Sequence, residues 1–506
     1  MSESRESRPS LALRARWAQG FLFLIPAIFC WGLARHEPAL LIDDAYITFR
    51  YAENLARGLG PVFNPGERVL GTTAPLWAGI LAGARLLGFA IPSAALVLGQ
   101  IFTAATCGLL AWILFRHVAA PLAVLAGLVL ALHPDAIFFA NSGMETGLSM
   151  ALVLGSLETA LRRRFLAAGV LSGAAFLVRP DGALLLLLGG VLALLQGRKS
   201  LVRFAIAAAV LVLPWIIFAM VFYGSPIPQS IAAKQLIHAT SFRHALMGYA
   251  LLFLPPVWPM RLLAALALPG LGLALISRGR LWPFAAWAIL YIVGLVFSRI
   301  SAVFPWYLTP LLPVMCLFDS ETWNRFFLRG TGIPACHQPA WLKRIGWLGA
   351  ILLLGLGGWL YSFRPFYLEV REAQFGRVRE YERLGEWLKT QARPGDQILV
   401  GEVGALSFAL MDFPVLDSSG INSPEILRLH RADQERSLAA GQAAESARWV
   451  KEVIQRFQPE WIVTWYRFLH LEELAQDPDL RSRYVRVKPP LPNLDRFFVL
   501  ERRESP

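Results

Sequence analysis

Apolar runs of span-like length recur from residue 17 to residue 361, and short basic clusters sit in several of the gaps between them. A bilayer core needs about 20 apolar residues per helical crossing. Spans are predicted near 17–34, 94–115, 119–138, 146–161, 165–178, 183–197, 204–222, 262–276, 281–298, 306–318 and 345–361, about eleven in all. Only 16% of the residues are charged, against roughly 25% in soluble domains. The class is therefore an α-helical polytopic membrane protein.

The formal charge of +13 would suit a nucleic-acid binder. The arginines and lysines, however, sit in clusters between apolar runs, where they orient helices rather than track phosphates. Nucleic acid is excluded as a partner on that ground. Cys30, Cys107 and Cys316 fall within or beside apolar runs and Cys336 in a polar loop, which is neither a disulfide framework nor a zinc spacing. The basic leader and first apolar run also fit a signal peptide, but no small-residue cleavage site follows, so an uncleaved first span is expected.

Arg5, Arg8, Arg14 and Arg16 place the N-terminus in the cytoplasm by the positive-inside rule. The apolar piece 74–90 is short and holds Arg85. If it crossed the bilayer, the clusters at 162–164, 197–199 and 277–280 would mostly face outward. It is read instead as interfacial or re-entrant, as is the proline-broken stretch 246–260. The odd number of spans then puts the C-terminus outside. The polar motifs 133–147, 179–182, 223–235 and 298–307 all fall on the outer side, an arrangement suited to an outward-facing active site in a cytoplasmic-membrane protein.

The stretch LIDDAYITFRYAENLARGLGPVFNPGERVLGTTAPLW (41–77) opens with Asp43 and Asp44 at the boundary following the first span. Two adjacent carboxylates there are too costly to keep as packing. Residues 44–55 predict an amphipathic helix lying along the interface. An acidic helix start is the plainer explanation, though one acid suffices for a cap.

Residues 1–361 are read as the transmembrane catalytic domain and 362–506 as a small exterior α/β domain. In the latter, a helix is expected over 371–391, strands at 397–402, 413–417, 461–465 and 496–502, and a helix near 443–457. GEVGA (401–405) lacks phosphate-loop spacing.

Transfer of a sugar from a lipid phosphate to an acceptor hydroxyl needs a carboxylate base, cationic groups for the leaving phosphate, and aromatic surface for sugar and lipid. The predicted outer loops offer Asp43, Asp44, Glu145 and Asp181. They also offer Arg179, Lys234, Arg243 and Arg299, with Trp306, Tyr307 and Tyr223. The first-loop stretch, with GMET, RPDG, YGSPIPQ and a following lysine, PWYLTPLLP and the late GEVGALSF…PVLDSSG, resembles the polytopic GT-C glycosyltransferases. The mycobacterial-type terminal arabinofuranosyltransferases and their bacterial relatives are most alike.

The resemblance implies an inverting transferase using a polyprenyl-phosphate sugar, a cell-envelope glycan as acceptor, and Asp43 as base. Asp44 is then a partner carboxylate or the ligand of a divalent cation, and no other cofactor is implied. Arg50, on the Asp43 face of the helix, is expected to orient Asp43 or the donor phosphate. Glu145, Arg179, Asp181, Lys234, Arg299, Trp306 and Tyr307 are the candidate substrate contacts. Capping, snorkelling and an aromatic belt explain several of them equally well. Glu402 and Asp417 are candidate glycan contacts or strand-end turns. His133 with Asp135, and His244, are too isolated for a metal site. The competing functions are transfer of another lipid-linked sugar to protein or lipid A, and a lipid-linked-glycan flippase or transporter. The latter should show mid-span polar residues and inverted repeats.

Overall fold

The computed structural model describes residues 11–503 except 119, 239, 253–257, 277–280, 300–303, 324–354, 356–357, 360, 363, 440–447, 466–475, 493 and 495. The apolar region forms α1 (Leu11–His36), α2 (Asp43–Ala56), α3 (Pro75–Leu86), α4 (Ile91–Leu114), α5 (Ala120–Leu132), α6 (Pro134–Ala140), α7 (Thr146–Leu161), α8 (Phe165–Val178), α9 (Ala183–Leu195), α10 (Arg198–Tyr223), α11 (Gln229–Ile237), α12 (Phe242–Leu252), α13 (Trp258–Ile276), α14 (Trp282–Phe297) and α15 (Leu312–Trp323).

Among the described residues, α4 and α10 are each long and apolar enough to cross a bilayer alone. The expected span 119–138 is instead the pair α5 and α6, bent by 63°, because Pro134 cannot continue the α5 hydrogen-bond ladder. Apolar helices such as α7 (16 residues), α8 (14) and α14 (16) are shorter; at 1.5 Å per residue they reach about 21–24 Å of a roughly 30 Å core. Eleven full spans are thus not established. Most of the expected span 345–361, and residues 253–257 of the 246–260 stretch, lie outside the described residues.

Small residues let the helices meet closely. A Cβ on Gly108 of α4 would stand 2.6 Å from the Phe23 carbonyl oxygen of α1, and one on Gly169 of α8 would stand 2.3 Å from the Phe204 carbonyl oxygen of α10. The outer face of α10 exposes Val202, Ile206, Val210, Leu213, Ile217 and Val221, a stripe suited to acyl chains. At one end of the bundle Glu158 pairs with Arg116 at 3.0 Å and with Arg162, and both guanidinium groups stack on Trp112. Two of the basic clusters therefore share one end. The polar motifs gather at the other.

The C-terminal residues form a five-stranded sheet of β1 (Ile398–Val400), β2 (Val415–Asp417), β3 (Trp461–Trp465), β4 (Tyr484–Val487) and β5 (Phe497–Arg502) in the order β2-β1-β3-β5-β4. β1 runs parallel to β2 and β3, whereas β5 is antiparallel to β3 and β4. Leu399, Ile462 and Phe498 pack one sheet face against Ile426, Val450 and Ile454 of two helices. The alternate residues Ile398, Val400, Val463 and Val499 join the main core. The expected strands are present; β4 is an addition. The helix expected over 371–391 divides into Arg364–Phe375 and Val378–Gln391.

Candidate active site

α2 is the expected helix, but it does not lie open along an interface. Every residue from Ala45 to Asn54 is buried. Its polar side is covered by the C-terminal chain: Phe408 packs against Tyr46 and Phe49 at 5.5 and 6.1 Å between ring centres. Arg50 Nη1 donates to the Ser407 and Leu410 (3.0 Å) carbonyls. Its Nη2 donates to Phe413 O at 3.0 Å and Asn64 Oδ1 at 3.2 Å, and its Nε to Phe63 O at 2.8 Å. Arg50 lines neither cavity described below. The expectation that it orients Asp43 or a donor phosphate is corrected: it clamps α2 to the C-terminal chain.

Both acids fall in the first turn of α2, yet neither makes a side-chain cap on that helix. Asp43 Oδ2 accepts the Gly404 amide at 3.0 Å and Oδ1 the Ala405 amide at 2.7 Å. The loop GEVGA, without phosphate-loop spacing, thus holds the acid by its backbone. Glycine is required at 404, where a Cβ would stand 1.9 Å from the Asp43 carbonyl oxygen. Burial, then the nearby Glu402 and Asp44 charges, push the Asp43 carboxyl up to about 7, against the opposing pull of the two amides.

Asp44 turns the other way and accepts from Lys234 Nζ at 3.4 Å. Lys234, on α11, is enclosed by the rings of Phe304, Trp306 and Tyr307, with its ammonium 5.0, 5.8 and 5.8 Å from their centres. The Tyr307 and Asp44 oxygens hold Lys234 charged, against the opposing cost of its burial. Nearby, Arg179 grips Asp181 through Nη2 at 2.9 Å and Nε at 3.0 Å, and reaches Glu145 at 3.4 Å. Tyr291 donates to Asp181 at 3.1 Å.

Two cavities share Asp44, Ile47, Trp306 and Ile421. The larger, about 460 Å³, runs among the bundle helices and is lined by Glu145, Arg179, Asp181, Lys234 and Tyr307. The smaller, about 290 Å³, lies under the C-terminal sheet and is lined by Asp43, Arg377, Tyr381 and Glu402. Eight of the ten expected site residues are therefore brought together. Arg299 is exposed, with φ +52°, and lines neither cavity, although Ser298 beside it does.

Tyr223 donates to the Pro61 carbonyl at 2.6 Å and Arg243 lies exposed on α12. Asp417 closes the turn after β2 by accepting from Ser419 and Asn422. His133 caps α6, and Asp135 pairs with Arg371 at 3.2 Å. Arg377, Tyr381 and Phe304 were not expected in the site. Only the aromatic motif around 304–307 carried a signal for one of them.

The residues present do not suit a divalent cation. Two N–H donors point at Asp43, Asp44 faces an ammonium, and Glu402 is engaged by Arg377 at 2.7 Å. No group of three potential ligands occurs among the described residues.

Comparison with known proteins gives three findings. Residues 369–498 match a family model described as a domain of unknown function (DUF8728). Two curated relatives, each named terminal beta-(1->2)-arabinofuranosyltransferase, are 32% identical over 235 residues (Mycobacterium tuberculosis) and 34% identical over 225 residues (Corynebacterium glutamicum). These matches take in 42% and 38% of this chain but only 37% and 33% of the relatives, so the chain spans about a third of their length.

Among solved structures, ArnT from Cupriavidus metallidurans aligns with a TM-score of 0.58 at 16% identity, over 96% of this chain and 98% of that one. A second structure of it, bound to undecaprenyl phosphate, aligns equally well, at 0.58 and 15% identity over 95% and 97% of the two chains. The oligosaccharyltransferase of Archaeoglobus fulgidus aligns at 0.56 and 12% identity, over 92% of this chain and 72% of that one. The overall fold is therefore shared with ArnT and with the archaeal oligosaccharyltransferase. The likeness to terminal arabinofuranosyltransferases read from the motifs is found again in the curated relatives.

Proposed function

We propose that the chain is an inverting glycosyltransferase of the outer face of the cytoplasmic membrane. Residues 1–361 form its transmembrane catalytic domain and 362–506 its exterior domain. It takes a sugar from a polyprenyl-phosphate donor, arabinofuranose by analogy with the curated relatives, and transfers it to a hydroxyl of a cell-envelope glycan. One observation carries the reading. Lys234, caged by aromatic rings, lines the larger cavity, Asp43, held by two amides, lines the smaller, and Asp44 between them in the lining belongs to both.

The donor's apolar chain and phosphate suit the larger cavity, with Lys234 and Arg179 facing the phosphate. The acceptor enters the smaller one. Asp43 accepts the acceptor hydroxyl's proton as the oxygen attacks the anomeric carbon. The new carbon–oxygen bond forms while the bond to phosphate breaks, and the phosphate leaves with the electron pair. Two of the four acceptor positions of a carboxylate remain to Asp43 for that proton. A carboxyl poised near 7 is a suitable base at neutral pH. Asp44, neutralised by Lys234, separates the two charges rather than competing for the proton.

The test is a transfer assay with the purified chain in nanodiscs, offered radiolabelled polyprenyl-phosphate pentoses and hexoses together with extracted cell-envelope glycans. Transfer from one donor with inversion supports the reading. Movement of the lipid-linked sugar between leaflets without transfer would replace it by the flippase.

A further inference from the structure

The smaller cavity holds more than a base. Glu402 enters it from the turn after β1, with its carboxylate fixed on three sides. Arg377 donates to both oxygens at 2.7 and 3.1 Å, and Tyr381 donates to Oε2. Arg377 is itself fixed, with its guanidinium carbon 4.4 Å over the Trp465 ring. A carboxylate and a guanidinium side by side present an acceptor edge and a donor edge, the pattern that matches two neighbouring hydroxyls of a sugar. Phe304 and Trp306, stacked with centroids 4.6 Å apart and planes 16° apart, also line the cavity. Such rings offer an apolar face to the carbon side of a sugar ring.

The charge of this cavity is also lopsided. Among its described lining residues Asp44 is paired with Lys234 and Glu402 with Arg377, which leaves Asp43 as the acid without an ion pair and no lining cation free to meet an anion. An anionic acceptor would enter against like charge in a low-dielectric space.

We propose that this cavity is the acceptor subsite for an uncharged sugar. Glu402 and Arg377 hold the hydroxyls beside the one that reacts, Phe304 and Trp306 pack on the ring, and acidic sugars and phosphorylated lipids are turned away. The inference rests on the transferase reading, deepens it by naming the acceptor's chemical class, and excludes lipid A phosphate groups from the subsite.

The experiment measures binding of octyl arabinofuranoside, octyl galactoside, octyl mannoside and octyl glucuronide to the full chain in nanodiscs, with undecaprenyl phosphate binding followed in parallel. The variants are Glu402→Gln, Arg377→Lys and Lys234→Ala. At least one neutral glycoside should bind at least tenfold more tightly than the glucuronide. Glu402→Gln and Arg377→Lys should each weaken it about tenfold while leaving undecaprenyl phosphate binding as in wild type, which also shows that these variants fold. Lys234→Ala should do the reverse. The proposal is overturned if no neutral glycoside binds, if the glucuronide binds as tightly, or if Glu402→Gln leaves neutral binding unchanged. Loss of both ligands in Glu402→Gln and in Arg377→Lys overturns it as well, because it makes the pair a structural brace. Failure of the transferase reading appears separately, as absence of transfer from every lipid-phosphate sugar.

Discussion

The Ala405 amide donates to Asp43 at 2.7 Å, joining residues 362 positions apart. The acid at the start of α2 is thus held by the C-terminal chain, and its carboxylate is fixed only when that chain is docked on the bundle. Gly404 is the tightest point of that union, since any side chain there meets the Asp43 backbone. Gly404→Ala should displace Asp43 by a fraction of an ångström to an ångström. The kcat of transfer should fall on the order of 100-fold, the usual cost of such misplacement, while donor affinity stays. Steady-state kinetics against donor concentration checks both.

Arg50 should prove structural. Its donors satisfy the carbonyls of Phe63, Ser407, Leu410 and Phe413 in a buried setting. Arg50→Met leaves those acceptors without partners, at a cost of about 3 kcal/mol or more. Lysine, a point charge without the planar fork, should rescue little. Thermal unfolding of both variants should show lowered midpoints, with undecaprenyl phosphate still binding below the transition.

What the sequence could and could not show divides along the same line. The strand Trp461–Trp465 is legible as a short β-branched and aromatic run, and the acids of α2 as an unexplained polar cost at a boundary. The amphipathic pattern of α2 gave two faces but not what covers each. Interface lipid and a docked domain ask for the same pattern, and Arg50 finds Ser407 at a separation of 357 positions. β4 escaped because Tyr-Val-Arg-Val is short and half exposed. The break at Pro134 was within reach, since proline in an apolar run is a kink signal. Arg377 stands at the start of, and Tyr381 on, a helix rich in charged residues, and only the fold brings them beside Asp43 in one cavity.

The pH profile should carry the mark of Asp43. Its carboxyl is raised to about 7, first by burial and then by the Glu402 and Asp44 charges. Below that pH the protonated acid cannot take the acceptor's proton, so kcat/KM should fall about tenfold per pH unit on the acid side. Removing the neighbouring negative charge by Glu402→Gln lowers the Asp43 value, so the acid limb should move to lower pH. An unchanged limb would count against Asp43 as the titrating group.

Chelation should leave transfer intact. Lys234 occupies the side of Asp44 on which a cation would bind, and amide donors occupy the Asp43 oxygens. Transfer measured after EDTA treatment should match the untreated enzyme. Loss restored by magnesium or manganese would overturn this assignment of the two acids.

The most direct test of Asp43 as base is single-turnover transfer by a preformed complex of enzyme and lipid-phosphate sugar, comparing wild type with Asp43→Asn. The asparagine keeps the side-chain shape, accepts only one of the two amides and cannot take a proton; the lipid-phosphate sugar, held in the other cavity, should remain bound at wild-type affinity while the transfer rate drops at least 100-fold. Transfer by Asp43→Asn at the wild-type rate would contradict the assignment and require another group to take the proton.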